Sequence, residues 1–342
     1  MAEIRLEELR QSIVDVLIKV GVSQKSANIV ADTALYANMR GVNTHGVGRL
    51  PLYINNINNG CINIDDPILI SDVNATAIYD AQNGLGQIAS HEAMLNCIEK
   101  AKKFGVGIVG VRNSNNFGMA SYYGQMATNE GMMAVIMANS APAMAPTGGK
   151  RAVLGTNPIC FAVPGNSLDT PIILDMATTV AARGKIRLSA KEGNEIPIDW
   201  AVGPDGNPTT DPNKALQGTL LPIGGYKGYG LSLFVDIIAG LIMGSSFAGE
   251  VKPLSNFDSK SGNGHSFIVV DLRKFLSEDE YKSKIEHLTK VIKESGDQGT
   301  VILPGENWNE MLVKNKKTVN LPDIQVKDVN NILRSYDINE LK

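Results

Sequence analysis

The sequence has little cysteine: three residues, Cys61, Cys97 and Cys160, lie far apart, odd in number and without a C-x-x-C pair. That excludes a disulfide framework and a zinc knuckle and points to a reducing compartment. It has only four histidines, none at metal-ligand spacing, so no metal site is expected. Aromatic residues make up 6% and the net charge is -3, which leaves neither a base-stacking platform nor a basic footprint for nucleic acid. No apolar run is comfortable in a bilayer; the most apolar stretch, Leu231 to Ser245, is short and contains Asp236. The charged start Met1-Ala2-Glu3-Ile4-Arg5 lacks the apolar segment of a signal peptide and reads as the opening of an amphipathic helix. No G-x-S-x-G elbow and no Walker A loop occur. The expectation is a soluble, cytoplasmic protein with no nucleic-acid or membrane partner.

What is present is an ordinary globular mixture, 43% hydrophobic and 20% charged, in 342 residues, long enough for two domains. Leu6, Leu9, Ile13, Leu17 and Val20 repeat at helical spacing up to Gly21. Ser23 then caps a second helix running to about Arg40, and a third covers about Gly48 to Asn58 with Pro51 in its first turn. From about Asn74 strands and helices alternate. Strands are expected at 75–80, 107–111, 133–138, 159–163, 171–174 and 265–272, and helices at 90–104, 122–131, 231–243, 278–294 and 326–341. The pattern predicts a mixed-sheet α/β fold.

Two glycine strings match dinucleotide fingerprints only on paper. Gly105-Val106-Gly107-Ile108-Val109-Gly110 spells G-x-G-x-x-G, but it follows a helix and enters a strand, the reverse of the required order. Gly105 reads instead as a helix C-cap. Gly84-Leu85-Gly86 is better placed, yet the following strand ends in Arg112-Asn113, where a ribose-binding acid is wanted. Gly224-Gly225-Tyr226-Lys227-Gly228-Tyr229-Gly230 is a better anion candidate, because it leads into an apolar helix and carries Lys227; a plain packed turn is the alternative. The stretch Arg40 to Arg49 stands apart. It holds His45 between glycine-bent backbone, with two arginines and few residues large enough to be core. A glycine-flanked histidine is more often a surface residue, but its pKa near neutrality also suits proton transfer.

Several segments, in order and over nearly the whole chain, resemble one family. They include Arg40-Gly41 with Thr44-His45-Gly46 and Arg49, Asn113-Ser114-Asn115 with Phe117-Gly118, and Asn139-Ser140. Pro146-Thr147-Gly148-Gly149, Leu154-Gly155-Thr156-Asn157-Pro158 and Asp175-Met176-Ala177-Thr178 follow. Gly184-Lys185-Ile186, Asp205 to Pro212, Lys227-Gly228-Tyr229-Gly230 and Pro304-Gly305-Glu306 complete the set. Together they are similar to the malate/L-lactate dehydrogenases that lack the Rossmann fold. That family also includes ureidoglycolate, sulfolactate and diketogulonate oxidoreductases.

The resemblance implies a non-Rossmann NAD(P)-binding α/β domain and a helical domain built from both chain ends, divided as 1–73, 74–305 and 306–342. It implies a homodimer acting on a small carboxylate substrate with NAD, or NADP, as cofactor. Ser140, Asp175, Met176, Ala177, Thr178, Lys227, Pro304, Gly305 and Glu306 would line the cofactor, and His45 would be the proton donor and acceptor. Oxidising a 2-hydroxy acid requires a base for the hydroxyl proton and a cation for the carboxylate. His45 suits the first need and Arg49 or Arg40 the second, while Thr44 could hold the hydroxyl or orient His45. Two departures stand out: Asn116 occupies the place of a usual histidine and cannot exchange protons, and Asn38 replaces an acid near Arg40. The leading expectation is malate oxidation. Ureidoglycolate or another 2-hydroxy acid, or a catalytically silent nucleotide-binding protein, are the alternatives.

Overall fold

Strand β1 (Ala2–Arg5) comes first, where an amphipathic helix was expected to open. Its partner lies at the other end of the chain, beyond the reach of local periodicity. The structure, a computed structural model, describes residues 1–167 and 170–342. Helices α1 (Leu6–Lys19), α2 (Gln24–Met39) and α3 (Leu50–Asn58) follow. Then come β2 (Ile68–Val73), β3 (Thr76–Asp80), α4 (Gly86–Phe104), β4 (Val106–Ser114), α5 (Ala120–Asn129), β5 (Met132–Ala138), β6 (Ile159–Val163) and β7 (Ile172–Met176). The chain continues through α6 (Arg183–Glu192), β8 (Ala201–Val202), α7 (Pro212–Gln217), β9 (Thr219–Leu220) and α8 (Tyr226–Val235), which runs on as a π-helical segment, Asp236–Ile242. Last are β10 (Asn263–Asp271), α9 (Glu278–Lys293), α10 (Glu306–Lys314), β11 (Thr318–Leu321) and α11 (Asp323–Ser335).

Seven strands form one sheet in the order β2-β3-β4-β10-β5-β6-β7. The pair β3–β4, joined through α4, is parallel, and the other neighbouring pairs are antiparallel. A doubly wound dinucleotide fold would be parallel at its centre, so this mixed sheet is a different solution. The sheet begins at Ile68, earlier than the composition shift at Asn74, because β2 is an exposed edge strand with no apolar alternation to reveal it.

Two cores meet at α4. Ile4, Leu17, Val30 and Tyr53 from the start of the chain pack in one cluster with Val319, Val329 and Leu333 from its end. The antiparallel pairing of β1 with β11, Ala2 opposite Leu321, closes that lobe. Leu85 and Ile88 at the head of α4 belong to the same cluster, whereas Ala89, Met94 and Cys97 further along pack with Tyr123, Ile136 and Phe267 against the sheet. The other face of the sheet is covered by Val235 and Ala239 against Met137 and Ile159. The literal G-x-G-x-x-G string serves this packing. Gly105 caps α4 at φ +85°, and a Cβ on Gly107 would stand 2.2 Å from the Cys97 carbonyl oxygen. Among the described residues no helix is long and apolar enough to cross a membrane.

If the chain ends share one core, Leu333→Ala in α11 should cost about 2–5 kcal/mol, the range for emptying a fully buried leucine site. Urea unfolding measures it, and a loss below about 1 kcal/mol would detach α11 from the core.

Candidate active site

The segment after α2 forms two single 3-10 turns, Asn43–His45 and Val47–Arg49. Asn38, buried at the end of α2, shapes them. Its amide nitrogen donates to Asn43 Oδ1 at 2.8 Å, and its Oδ1 accepts the Val47 N–H at 2.9 Å. Gly46 lies directly on that amide; a Cβ there would come within 2.3 Å of it. The residue that replaces the expected acid is therefore the clamp of the histidine loop. Arg40 does not join the site. Its guanidinium stacks over the Tyr36 ring at 3.5 Å, buried and away from the cleft that Arg49 lines.

Thr44 Oγ1 lies 3.1 Å from His45 Nδ1, and Arg49 Nε donates to the Thr44 carbonyl at 2.7 Å. Nε2 of His45 makes no hydrogen bond among the described residues. His45, Arg49, Asn116 and Ser140 line one cleft of about 320 Å³. Thr44 is absent from its lining and touches the His45 ring instead, an orienting position. The cleft is also lined by four residues that the sequence reading did not select: Arg183, Arg187, Lys252 and His265. Among the described residues no carboxylate lines it.

The field of the cleft follows from that census. Burial, reinforced by the Arg49 charge, pushes His45 from the usual 6.5 down to about 3, so the imidazole is neutral near pH 7. Burial also lowers Arg49, with Arg187 acting in the same direction and Tyr53 against it. Burial pushes Tyr53 up to about 12, which keeps its phenol protonated.

That phenol donates to Asn116 Oδ1 at 2.7 Å, and the Gly118 N–H donates to the same oxygen at 3.3 Å. A backbone N–H can only donate, so the amide orientation is fixed and Nδ2 is left as a donor without a partner among the described residues. The Asn115–Asn116 turn itself sits on the head of α4. A Cβ on Gly86 would come 2.3 Å from the Asn115 carbonyl oxygen, which is the use of the second glycine string. His265 pins the same turn from the sheet. Its Nε2 lies 2.9 Å from Ser114 Oγ and 3.1 Å from the Asn115 carbonyl, and its ring stacks on Phe117 at 4.5 Å. Because a carbonyl only accepts, Nε2 carries the proton and Nδ1 is a bare acceptor, buried without a partner. Burial holds this histidine at about 3, against the Asn115 hydrogen bond. The pairing of β10 with β4 brings it here, and nothing in its own neighbourhood of the sequence announces that.

The residues expected to line a cofactor fall along β7. Beyond its end, Thr178 donates through N–H and Oγ1 to the Thr156 carbonyl at 2.9 and 3.0 Å, and Thr156 Oγ1 lies 3.2 Å from Ser140 Oγ. The Ile223 N–H donates to the Thr178 carbonyl at 3.0 Å, tying this patch to the glycine loop ahead of α8. Gly225, the N-cap of α8, has no side-chain cap, and the amine of the exposed Lys227 has no partner among the described residues. Met176 packs beneath, against the core that Ile159 and Val235 share, and Ala177 links it to Thr178. Asp175 turns the other way: its carboxylate accepts the Ser121 N–H at 2.8 Å and caps α5. Pro304 accepts the Ile173 N–H at 3.0 Å, and Gly305 opens α10 at φ +88°. Glu306 accepts the Leu303 N–H at 2.8 Å and pairs with Lys293. Pro304 and Glu306 line a second groove of about 370 Å³.

The comparisons with known proteins identify the family. The sequence profile described as malate/L-lactate dehydrogenase matches residues 4–330. An L-sulfolactate dehydrogenase from Methanothermobacter thermautotrophicus is 37% identical over 97% of each chain. A malate dehydrogenase from Pyrococcus horikoshii is 42% identical over 84% of this chain and 82% of its own. The solved sulfolactate dehydrogenase from Methanocaldococcus jannaschii superposes with a TM-score of 0.92 at 38% identity, covering 99% of this chain and 98% of that one. The chain thus belongs to the malate/L-lactate dehydrogenase family.

Proposed function

We propose that the protein is an NAD(P)-dependent 2-hydroxy acid dehydrogenase that interconverts malate and oxaloacetate, with NAD as the expected cofactor and NADP admitted. The observation that carries this reading is a neutral histidine beside an arginine in one cleft where, among the described residues, the histidine Nε2 has no partner, the arginine has no carboxylate and no acid lines the walls. A dinucleotide fits the residues nearby. The uncapped start of α8 and Lys227, whose amine has no partner among the described residues, suit a phosphate, and Ser140 offers a hydroxyl at the cleft, while the buried Thr178 holds the Thr156 backbone beside it. When bound, the nicotinamide supplies the hydride acceptor for oxidation and the donor for reduction. The carboxylates of Asp175 and Glu306 are engaged within the protein, on the Ser121 and Leu303 backbone, and neither lines the cleft.

Arg49 holds the substrate carboxylate through its free guanidinium nitrogens. Thr44 fixes the ring through Nδ1, and Nε2 takes the hydroxyl proton as the alcohol is oxidised, returning it in reduction. Asn116 donates from Nδ2 to the reacting oxygen. A single group thus carries the proton, and the amide only positions. Sulfolactate is the second substrate reading, after the name of the Methanothermobacter relative. The protein works as a homodimer in this reading. Helix α8 leaves Phe234 63% exposed beside the partly exposed Leu231 and Leu233, a surface that a second copy would cover.

Oxaloacetate, sulfopyruvate, pyruvate and a ureidoglycolate assay with both cofactors test the activity; His45→Ala should lower kcat about 10²–10⁴-fold with the preferred acid. A variant that keeps wild-type turnover would move the proton carrier elsewhere, and nucleotide binding without turnover of any acid would leave a silent member, the role that Asn116 suggests. Tyr53→Phe should raise KM several-fold with kcat and pH profile little changed, because it frees an amide that does not titrate; a shifted pH profile would give Tyr53 a part in proton transfer. Burial is the main cause of the depressed His45 and the Arg49 charge the lesser one, so an anion on Arg49 raises His45 only part of the way, and binding of oxamate near pH 4 should draw in a fraction of a proton. Calorimetry in buffers of different ionisation heat measures this, and the uptake should vanish in His45→Gln.

A further inference from the structure

The cleft carries more positive charge than one carboxylate requires. Beyond Arg49 it is lined by Arg183 and Arg187, which stand four residues apart in α6 and so share a face of that helix. Arg183 is anchored: its two terminal nitrogens donate to the carbonyls of Pro142 at 3.0 Å and Leu216 at 2.9 Å. Those carbonyls fix the guanidinium without cancelling its charge. Arg187 has neither a hydrogen bond nor an ion pair among the described residues and is exposed at the cleft. No acid stands three or four residues from either arginine. Like charges at this spacing oppose helix formation. Burial lowers Arg183, and the charge of Arg187 lowers it further.

Helix α6 is also seated against the proton-transfer group. A Cβ on Gly184 would lie 3.6 Å from Thr44 Cγ2, in ordinary contact with the residue that orients His45. The charge of Arg187 is felt at Arg49. A cation without a partner among the described residues thus lines the same cleft as the arginine assigned to the substrate's first carboxylate.

We propose that Arg183 and Arg187 form a second anion subsite, which selects 2-hydroxy acids bearing a carboxylate or sulfonate at the end remote from the carboxylate held by Arg49. Arg187 makes the contact, and Arg183 is a positioning residue that holds the local field. The proposal rests on the dehydrogenase reading for its substrates, but not for its test. A monoanion such as lactate fills only the Arg49 side and leaves the like-charged pair uncompensated.

Non-reacting acids provide the measurement. Thermal shift of the full chain, at constant ionic strength so that screening is equal, compares malonate and sulfoacetate with acetate. The two doubly charged acids should bind more tightly than acetate, and the better of them identifies the distal group as carboxylate or sulfonate. Arg187→Gln should lose about 10–100-fold in affinity for both, the range for removing a charge-assisted contact, with acetate unchanged. Arg187→Lys should recover part of it, and Arg183→Lys tests the anchored partner without removing its charge. In turnover, Arg187→Gln should lower kcat/KM for oxaloacetate or sulfopyruvate by the same factor and leave pyruvate untouched. Equal losses for singly and doubly charged acids, or a change confined to the KM of NADH or NADPH, would overturn the subsite. If wild type turns over none of the acids while Arg187→Gln still loses malonate binding, the dehydrogenase reading fails and the subsite stands.

Discussion

The amide of Asn38 is the contact on which the site depends most. It is a neutral side chain at the end of a helix, with both polar ends turned into the loop that follows. Without it, two consecutive 3-10 turns holding His45 and Arg49 would have few internal hydrogen bonds to keep them in one shape. A carboxylate at this place could accept the Val47 N–H but could not donate to Asn43. The substitution looks like the loss of an ion pair in the sequence. In the structure it exchanges one way of holding the loop for another.

The same economy governs Asn116. Two donors fix its oxygen, so the surface offered to a ligand is a pair of N–H groups. The Asn116 side chain cannot change charge, and it sits on a turn held by a buried histidine from the sheet and by close backbone contact with α4. Neutral carbonyls hold two of the cations, Arg49 on Thr44 and Arg183 on Pro142 and Leu216, without cancelling their charge. A cleft that concentrates one sign of charge has stability lowered by self-repulsion, which a ligand of opposite sign recovers.

Much of the fold was legible locally. Helix α9 is announced by Ser277 and Glu280, which form a capping box, and by a charged amphipathic pattern; it spans Glu278–Lys293 against an expected 278–294. Strand β6 falls on 159–163 as expected, since a short apolar run between turns has few other uses. What escaped depends on distant partners. Strand β1 needs β11, and β2 is a sheet edge with every residue exposed, so neither carries a periodic mark. His45 and Arg49 were visible because their loop has little to pack. Arg183 and Arg187 had a subtler mark, two cations at helical spacing without acids nearby, which becomes meaningful only once α6 is known to face the cleft. His265 had none.

The closure of the helical lobe by both chain ends also sets an order in time. Asn43 donates through its side chain to the Asn320 carbonyl at 3.2 Å, and Gly48 is packed so closely on Gln325 that a Cβ would come within 2.8 Å of it. The histidine loop is made before the sheet, and the strand and helix that seat it are made after the sheet. The sheet and its helices lie wholly between those two moments and can assemble first. A nascent chain can therefore acquire its sheet core before the loop that carries His45 and Arg49 is settled.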